Sequence, residues 1–290
     1  QKINGSAILT VGDQIYNVVL TNGNGSYVVY GLMNGNYDVK VEFGGNENYT
    51  NSSSSVKTLV VSKATTTVSL SDAIIEVGQV ATLFITVTDG ATGIVNVTVN
   101  GITQSIGLID SKATVYVPDL INGTYSITVK YGGDDKHNAS ENITQHIYVN
   151  KVSVYDFYVV ASDTVVGESS IVTVYMPGDA NGNITIGSKT AKVVGGKAVI
   201  VLDKETTAGE KSVTVTYGND TKYADNTVGV IAKYNVDKAP SSVKIAVNSI
   251  YVIGDTVTVT LTTVNGTATV KINDEDYVVT SLDRKSGSAG

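Results

Sequence analysis

Apolar and polar residues alternate along most of this chain in short runs, broken by turns rich in glycine and asparagine. A period of two places successive side chains on opposite faces, so the pattern predicts half-buried β-strands. The runs are clearest between Thr65 and Lys151. They are Thr65–Leu70, Ala81–Val87, Ile94–Val99, Gln104–Ile106, Ala113–Val117, Tyr125–Tyr131 and Ile143–Val149. Turns at Glu76-Val77-Gly78-Gln79, at Asp89-Gly90 with Gly93, and at Asn100-Gly101 separate the early runs. Glycine there supplies the positive φ that tight hairpins need.

The alternation itself recurs. Gly5, Gly93, Gly182 and Gly266 each open a similar run, at spacings of 88, 89 and 84 residues. An aromatic-glycine step recurs as Phe43-Gly44-Gly45-Asn46, Tyr131-Gly132-Gly133-Asp134 and Tyr217-Gly218-Asn219-Asp220, and a lysine junction recurs at Lys63, Lys151 and Lys238. A fixed period of this length marks a tandem array. It divides the chain into a partial repeat at 1–64, whole repeats at 65–151 and 152–238, and a partial repeat at 239–290. Seven short strands per whole repeat, with turn signals about every 8 to 12 residues, match an immunoglobulin-type β-sandwich. The expected fold is therefore all-β: tandem immunoglobulin-like sandwiches. Only Asn150-Lys151 separates the strands ending at Val149 and beginning at Val152. A junction this short is no flexible coil, and it predicts a stiff or gently articulated rod.

Segment 1–64 enters at the third strand of the pattern, whereas 239–290 supplies strands one to three. Joining 239–265 to 5–64 makes 87 residues, one repeat. Two readings stay open: a window cut from a longer array, or a filament in which the last segment of one molecule completes the first segment of the next. A half sandwich leaves an apolar face and unpaired edges in water, which favours completion. The duplicated glycine-led strand at Gly5 and Gly266 speaks against clean donation. Gln1 is neither an initiator Met nor the start of a signal peptide, as in a mature form or an excised piece.

Tyr37 follows the turn Met33-Asn34-Gly35-Asn36, and Tyr125 follows Ile121-Asn122-Gly123-Thr124. Both positions resemble the tyrosine corner of immunoglobulin folds, where a hydroxyl ties back to the preceding turn. The alternative is an ordinary interior aromatic. The third repeat departs from the pattern, with Lys211 at the corner position.

Composition narrows the chemistry. The 290 residues include no Cys or Trp, three Pro and two His, with net charge −7. Disulfides and thiolate metal sites are excluded, and an acidic chain without a basic cluster is no nucleic-acid binder. No apolar run approaches the roughly 18 residues of a membrane helix, so no membrane insertion is expected in this segment. His137 in a loop and His146 on a solvent-facing strand are no catalytic pair, and no nucleotide, hydrolase or metalloprotease motif occurs. No enzyme activity and no cofactor are expected. The acidic loops Asn46-Glu47-Asn48, Asp134-Asp135, Asn219-Asp220 and Asp179–Asn183 offer oxygens to calcium, but Asp and Asn also belong in turns. Asn4, Asn24, Asn48, Asn51, Asn96, Asn122, Asn138, Asn142, Asn183, Asn219 and Asn265 head Asn-x-Ser/Thr acceptors for glycosylation. Chance is the plain alternative, because Asn, Ser and Thr are all common. A Lys–Asn isopeptide bond could replace disulfides, but no triad is legible in the sequence.

The run Asn-Gly-x-Tyr-x-[Val/Ile]-x-Val-x-[Tyr/Phe]-Gly-Gly-[Asp/Asn], with the lysine junction, resembles the bacterial-type Ig-like repeats of cell-surface adhesin-like proteins, most like those of methanogenic archaea. The resemblance implies an extracellular, glycosylated tandem-domain protein that projects from or coats the cell. Its expected partners are other copies of the chain or adjacent repeats, and a glycan or protein on the surface of another cell. Three functions follow as expectations: an adhesin-like stalk segment, a filament or sheath subunit polymerising through its incomplete ends, and a glycan or cell-wall binding module.

Overall fold

The computed structural model describes residues 3–242, 244–247, 250, 252–254, 260–262, 268–272 and 275–279. Among them every regular element is a β-strand. The chain divides into two compact units, residues 1–153 with 221–224 and residues 154–220 with 225–290.

The first unit opens with β1 (Gly5–Val11), β2 (Gln14–Leu20), β3 (Gly35–Phe43), β4 (Ser52–Ser53) and β5 (Lys57–Val61). They form a single sheet in which β1 pairs with β2 and β3, and β3 also pairs with β4 and β5. Within residues 3–64 no second sheet faces it.

Residues 65–151 build both layers. The strands are β6 (Val68–Ser69), β7 (Ala73–Glu76), β8 (Ala81–Val87), β9 (Ile94–Val99), β10 (Ile102–Gly107), β11 (Lys112–Val117), β12 (Gly123–Tyr131), β13 (Ser140–Asn142) and β14 (His146–Asn150). One sheet runs β11-β8-β6, and the other runs β10-β9-β12-β14-β7 with β13 on β12. Ala81, Leu83, Ile85 and Val87 of β8 share one buried core with Val95, Val97 and Val99 of β9 and Ile127 and Val129 of β12. Each such valine, leucine or isoleucine contributes about 1.5–3 kcal/mol on leaving water, which selects the alternating pattern on these strands.

The structure departs from the sequence pattern at two strands. The opening run stops at Ser69, and the chain crosses to the other sheet as β7, parallel to β14. Asp72 anchors the switch, its Oδ1 accepting the His146 amide at 2.8 Å. The final run, expected as one strand over Ile143–Val149, is strand only from His146 as β14, and a separate short strand, β13, precedes it. β13 pairs with the end of β12 and β14 with its start, and between them Asn142 Oδ1 accepts the Thr144 amide at 3.1 Å.

In the second unit, β15 (Tyr158–Ala161), β17 (Ser169–Tyr175) and β20 (Lys197–Lys204) form one sheet. The other runs β16 (Thr164–Val165), β22 (Asn226–Asp237), β21 (Gly209–Gly218), β18 (Asn183–Ile186) and β19 (Lys189–Lys192). The same strand switch recurs, with β16 parallel to β22 and Asp163 Oδ1 accepting the Asn235 amide at 2.6 Å. Beyond them β23 (Lys244–Ala246) pairs with β24 (Thr260–Thr262), and β25 (Ala268–Ile272) with β26 (Glu275–Val279). Strand order and strand switch make this an immunoglobulin-like β-sandwich fold.

Candidate functional site

The aromatic-glycine step is where polar side chains converge. At 65–151 the Tyr131 hydroxyl donates to Thr92 O at 2.9 Å. Asp134 Oδ2 accepts the Thr92 amide at 2.9 Å and its hydroxyl at 3.1 Å, while Oδ1 accepts the Lys136 and His137 amides at 2.8 and 2.7 Å. His137 is buried, its Nδ1 2.9 Å from Asp134 Oδ1. Lys63 Nζ donates to Asp134 O at 2.5 Å. One carboxylate thus ties the loop after β12 to the loop before β9. Burial pushes Tyr131 up to about 12, with its contact to Asp134 adding to the rise. Burial alone would raise Asp134 too, but the bonds from Thr92, Lys136, His137 and Tyr131 together hold its carboxyl well below the usual range.

The whole repeat at 152–238 builds the same latch. Asp220 Oδ2 accepts the Asn181 amide at 2.7 Å, the Gly182 amide at 3.0 Å and the Tyr217 hydroxyl. Burial, then Asp220, raises the Tyr217 pKa. The first repeat carries a reduced form. Asn46 Oδ1 accepts the Asn48 and Tyr49 amides, both at 2.9 Å, but Phe43 has no hydroxyl to add. The glycine two residues into the step is fixed by geometry. Gly133 has φ +84°, and a Cβ there would sit 2.8 Å from His137 O. Asn219 takes that place in the third repeat at φ +60°, a conformation Asn tolerates. Position also explains the histidine. Tyr49, His137 and Tyr223 stand at the same point of their loops, so His137 fills an aromatic slot.

At the corner positions, the Tyr37 hydroxyl donates to Met33 O at 2.9 Å and the Tyr125 hydroxyl to Ile121 O at 3.0 Å. Lys211 spans the same four residues, donating to the Thr207 hydroxyl at 2.7 Å. Neighbouring amides repeat as well: Asn34 Nδ2 donates to Val61 O at 3.2 Å and Asn122 Nδ2 to Val149 O at 2.7 Å.

Among the glycosylation acceptors, Asn4, Asn24, Asn48, Asn51, Asn96, Asn122, Asn138 and Asn219 are exposed, and Asn142 and Asn183 are half-buried. Asn265 lies outside the described residues. Besides Asn122, the amides of Asn24, Asn138 and Asn142 donate to Asn22 O, Lys63 O and Val68 O, so a sugar there competes with a structural bond. In the acidic loops, oxygens of Asn46, Asp134 and Asp220 already accept backbone amides. Among the described residues no three His, Asp or Glu side chains converge as a metal site would need.

Two surfaces stand out, neither legible from the motifs. The outer face of β15, β17 and β20 carries Tyr158, Val160, Ile171, Tyr175, Val199 and Val201, all exposed. Tyr158 and Tyr175 are cross-strand partners with ring centroids 6.3 Å apart, and Lys197 Nζ lies 5.7 Å from the Tyr175 ring. The other surface is the inner face of the first repeat, where Val41 and Leu59 are each 39% exposed, while their equivalents Val129 and Ile147 are fully buried.

No family model matches the chain, and no curated relative does. Solved structures offer distant likenesses. The chain is similar to the fibronectin(III)-like modules of Clostridium thermocellum CbhA, at 15% identity over 59% of this chain and 95% of that one, with a TM-score of 0.25. It is also similar to the N-terminal Ig1-2 module of the Drosophila receptor protein tyrosine phosphatase DLAR, at 11% identity over 60% and 100%, TM-score 0.23. A chimeric titin Z1Z2 tandem matches at 13% identity over 58% and 96%, TM-score 0.23. Strand order and register, rather than these likenesses, carry the fold.

Proposed function

We propose that this chain is a segment of an extracellular, adhesin-like stalk of the kind its repeats resemble in methanogenic archaea. Its sandwiches set reach, and binding to another cell is done elsewhere in the parent protein. The observation that carries this reading is the reuse of one latch in successive repeats. Asp134 and Asp220, the acids best placed for chemistry, spend their oxygens on backbone amides and a neighbouring tyrosine. Polar groups so committed serve rigidity rather than turnover, and we assign no catalytic role. Antibodies raised against the chain should label intact source cells; label seen only after permeabilisation overturns the surface reading. Exposed acceptors such as Asn51 and Asn96 should carry glycans in protein from the source, read by mass spectrometry of its peptides.

Two other readings each have an observation behind them. The uncovered Val41 and Leu59 favour a filament or sheath subunit that polymerises by strand completion. The exposed Tyr158–Tyr175 pair favours a glycan or cell-wall binding module, because aromatic faces offer apolar platforms with a polar tip. Retention on immobilised cell-wall polymer, lost in Tyr158→Ala, would support that module.

A further inference from the structure

We propose that the whole repeat at 65–151 binds a small alkylammonium compound, a short hydrocarbon chain with a cationic head, in a cleft between the free edges of its two sheets. The site goes beyond the stalk reading and does not depend on it.

The cleft follows from how the sandwich is closed. On one side the chain itself joins the sheets, crossing from β6 to β7, and Asn142 Nδ2 donates to Val68 O at 3.1 Å. On the other side β10 pairs with β9 alone and β11 with β8 alone, so only side chains can bridge the two edges. Gln104 supplies a bridge, its Nε2 donating to Tyr116 O at 3.2 Å. From Gln104 back to the turn at Asn100-Gly101 the edges stay apart and leave a cleft of about 310 Å³. Its floor is Val97, Val99, Val115, Val117 and Leu120, all buried. At its mouth lie Ile102, 68% exposed, and the exposed Asn100 and Asp119.

The third repeat shows the same place filled and closed. By strand register, Val97, Val99, Val115 and Val117 correspond to Ile184, Ile186, Ile200 and Leu202, each larger by one methylene and each buried. Lys189 takes the position of Ile102, directly after the two-residue turn. Its Nζ donates to Val201 O at 2.8 Å and pairs with Asp203 Oδ1 at 2.9 Å. Val201 is the register equivalent of Tyr116, so both repeats bridge the same carbonyl. In the third repeat the bridge stands at the turn, whereas in 65–151 it stands two residues further along. Ile102 has no donor to make it, and the turn end stays open over a floor of smaller side chains.

The occupant follows from the lining. The floor offers aliphatic side chains and no ring, hydroxyl or charge, so it favours hydrocarbon and gives a sugar nothing to bond. An apolar cavity of about 150 Å³ holds benzene, so twice that volume suits a chain of roughly eight to ten carbons. Asp119 is the charged side chain of the lining. Between Ile94 and Asn122 the sole cationic residue is Lys112, at the opposite end of β11. A positive head group beside Asp119 is therefore favoured over a carboxylate.

The test adds n-octylammonium to the full chain, with its valine, leucine and isoleucine methyls labelled for NMR. Methyls of Val97, Val99, Val115, Val117 and Leu120 should shift together and saturate, with a Kd of about 1 mM or tighter. Those of Ile184 and Ile200 should not move. Val99→Ile with Val117→Leu, copying the third repeat, should fill the cleft and weaken binding about tenfold or more. Ile102→Lys, copying Lys189, should do the same by covering the mouth. Asp119→Asn should weaken octylammonium about two- to fivefold and leave 1-octanol unchanged. Absence of floor shifts in the unmodified chain overturns the proposal without recourse to any variant. Binding that survives the cleft-filling pair unchanged overturns it too, as does octanoate binding as tightly as octylammonium.

Discussion

Residues 1–64 and 65–151 carry the same strand ladder, and only the second covers it fully: in the first, Ala7, Val11 and Val18 are buried while Val41 and Leu59 are exposed. β1, β2 and β3 pair as β9, β10 and β12 do. The tyrosine corner and the asparagine beside it recur in both. What differs is the opposing sheet and the latch. Val129 and Ile147 are sealed beneath β8, whereas Val41 and Leu59 meet water. Tyr131 and Asp134 tie two loops together, whereas Phe43 and Asn46 close only their own turn. Hydrogen-bonded corners and a partial core at Ala7, Val11 and Val18 are therefore properties of the first segment too, while complete burial and the acidic latch belong to the finished sandwich.

The largest test of that distinction is paired truncation. Ile147→Ala should cost about 2–5 kcal/mol, because it opens a cavity in a closed core. Leu59→Ala at the equivalent position should cost about 1 kcal/mol, because the side chain is already 39% exposed and no closed cavity forms. Urea unfolding of each variant reads the difference, and equal costs would mean that the first repeat is covered in solution.

The latch comes next. Asp220→Ala removes the acceptor of the Asn181 amide, the buried Gly182 amide and the Tyr217 hydroxyl, at a cost on the order of 3 kcal/mol. Asn46→Ala in the exposed first loop should cost about 1 kcal/mol. A third pair sharpens the corners: Tyr37→Phe and Tyr125→Phe should each cost about 1 kcal/mol, since both repeats make that bond. Lys211→Met should cost less than half as much, because its ammonium lies at the surface.

The smallest effect is on pH dependence. An unfolded tyrosine ionises near pH 10, whereas Tyr131 holds its proton to about 12. The native state binds the extra proton in that window, so stability should fall as pH rises from about 10 towards 12. Tyr131→Phe should reduce this slope without abolishing it, because burial also raises Tyr217 and Tyr234. On the acid side the Asp134 carboxyl is depressed, so its contribution is intact at neutral pH. It is lost as pH falls below about 4, where the unfolded chain takes up the proton first.

Much of this was readable from local pattern. Alternation marked the strands, asparagine-glycine turns marked the hairpins, and Tyr37 and Tyr125 stood at corner positions because a turn and its corner are only four residues apart. The latch was half legible. Asp134 and Asp220 recur in step, but their role depends on Thr92 and Asn181, some forty residues upstream. The strand switch was missed, although Ser71-Asp72 and Ser162-Asp163 marked it, because a parallel partner seventy residues away leaves no local period. His137 is a loop residue, as its sequence position implies, but only its burial against Asp134 shows that it fills an aromatic slot.

By itself, then, the sequence determined the repeat, the strand content and the turns, all of which follow from side-chain period and backbone preference over a few residues. Tertiary structure alone decided which stretches became strands in fact. Ser26–Tyr30 has the composition of a strand and forms none, while Ala73–Glu76 has little alternation and forms one. A ladder needs a neighbour for its amides and carbonyls, and that neighbour is supplied by the packed sandwich, not by the segment.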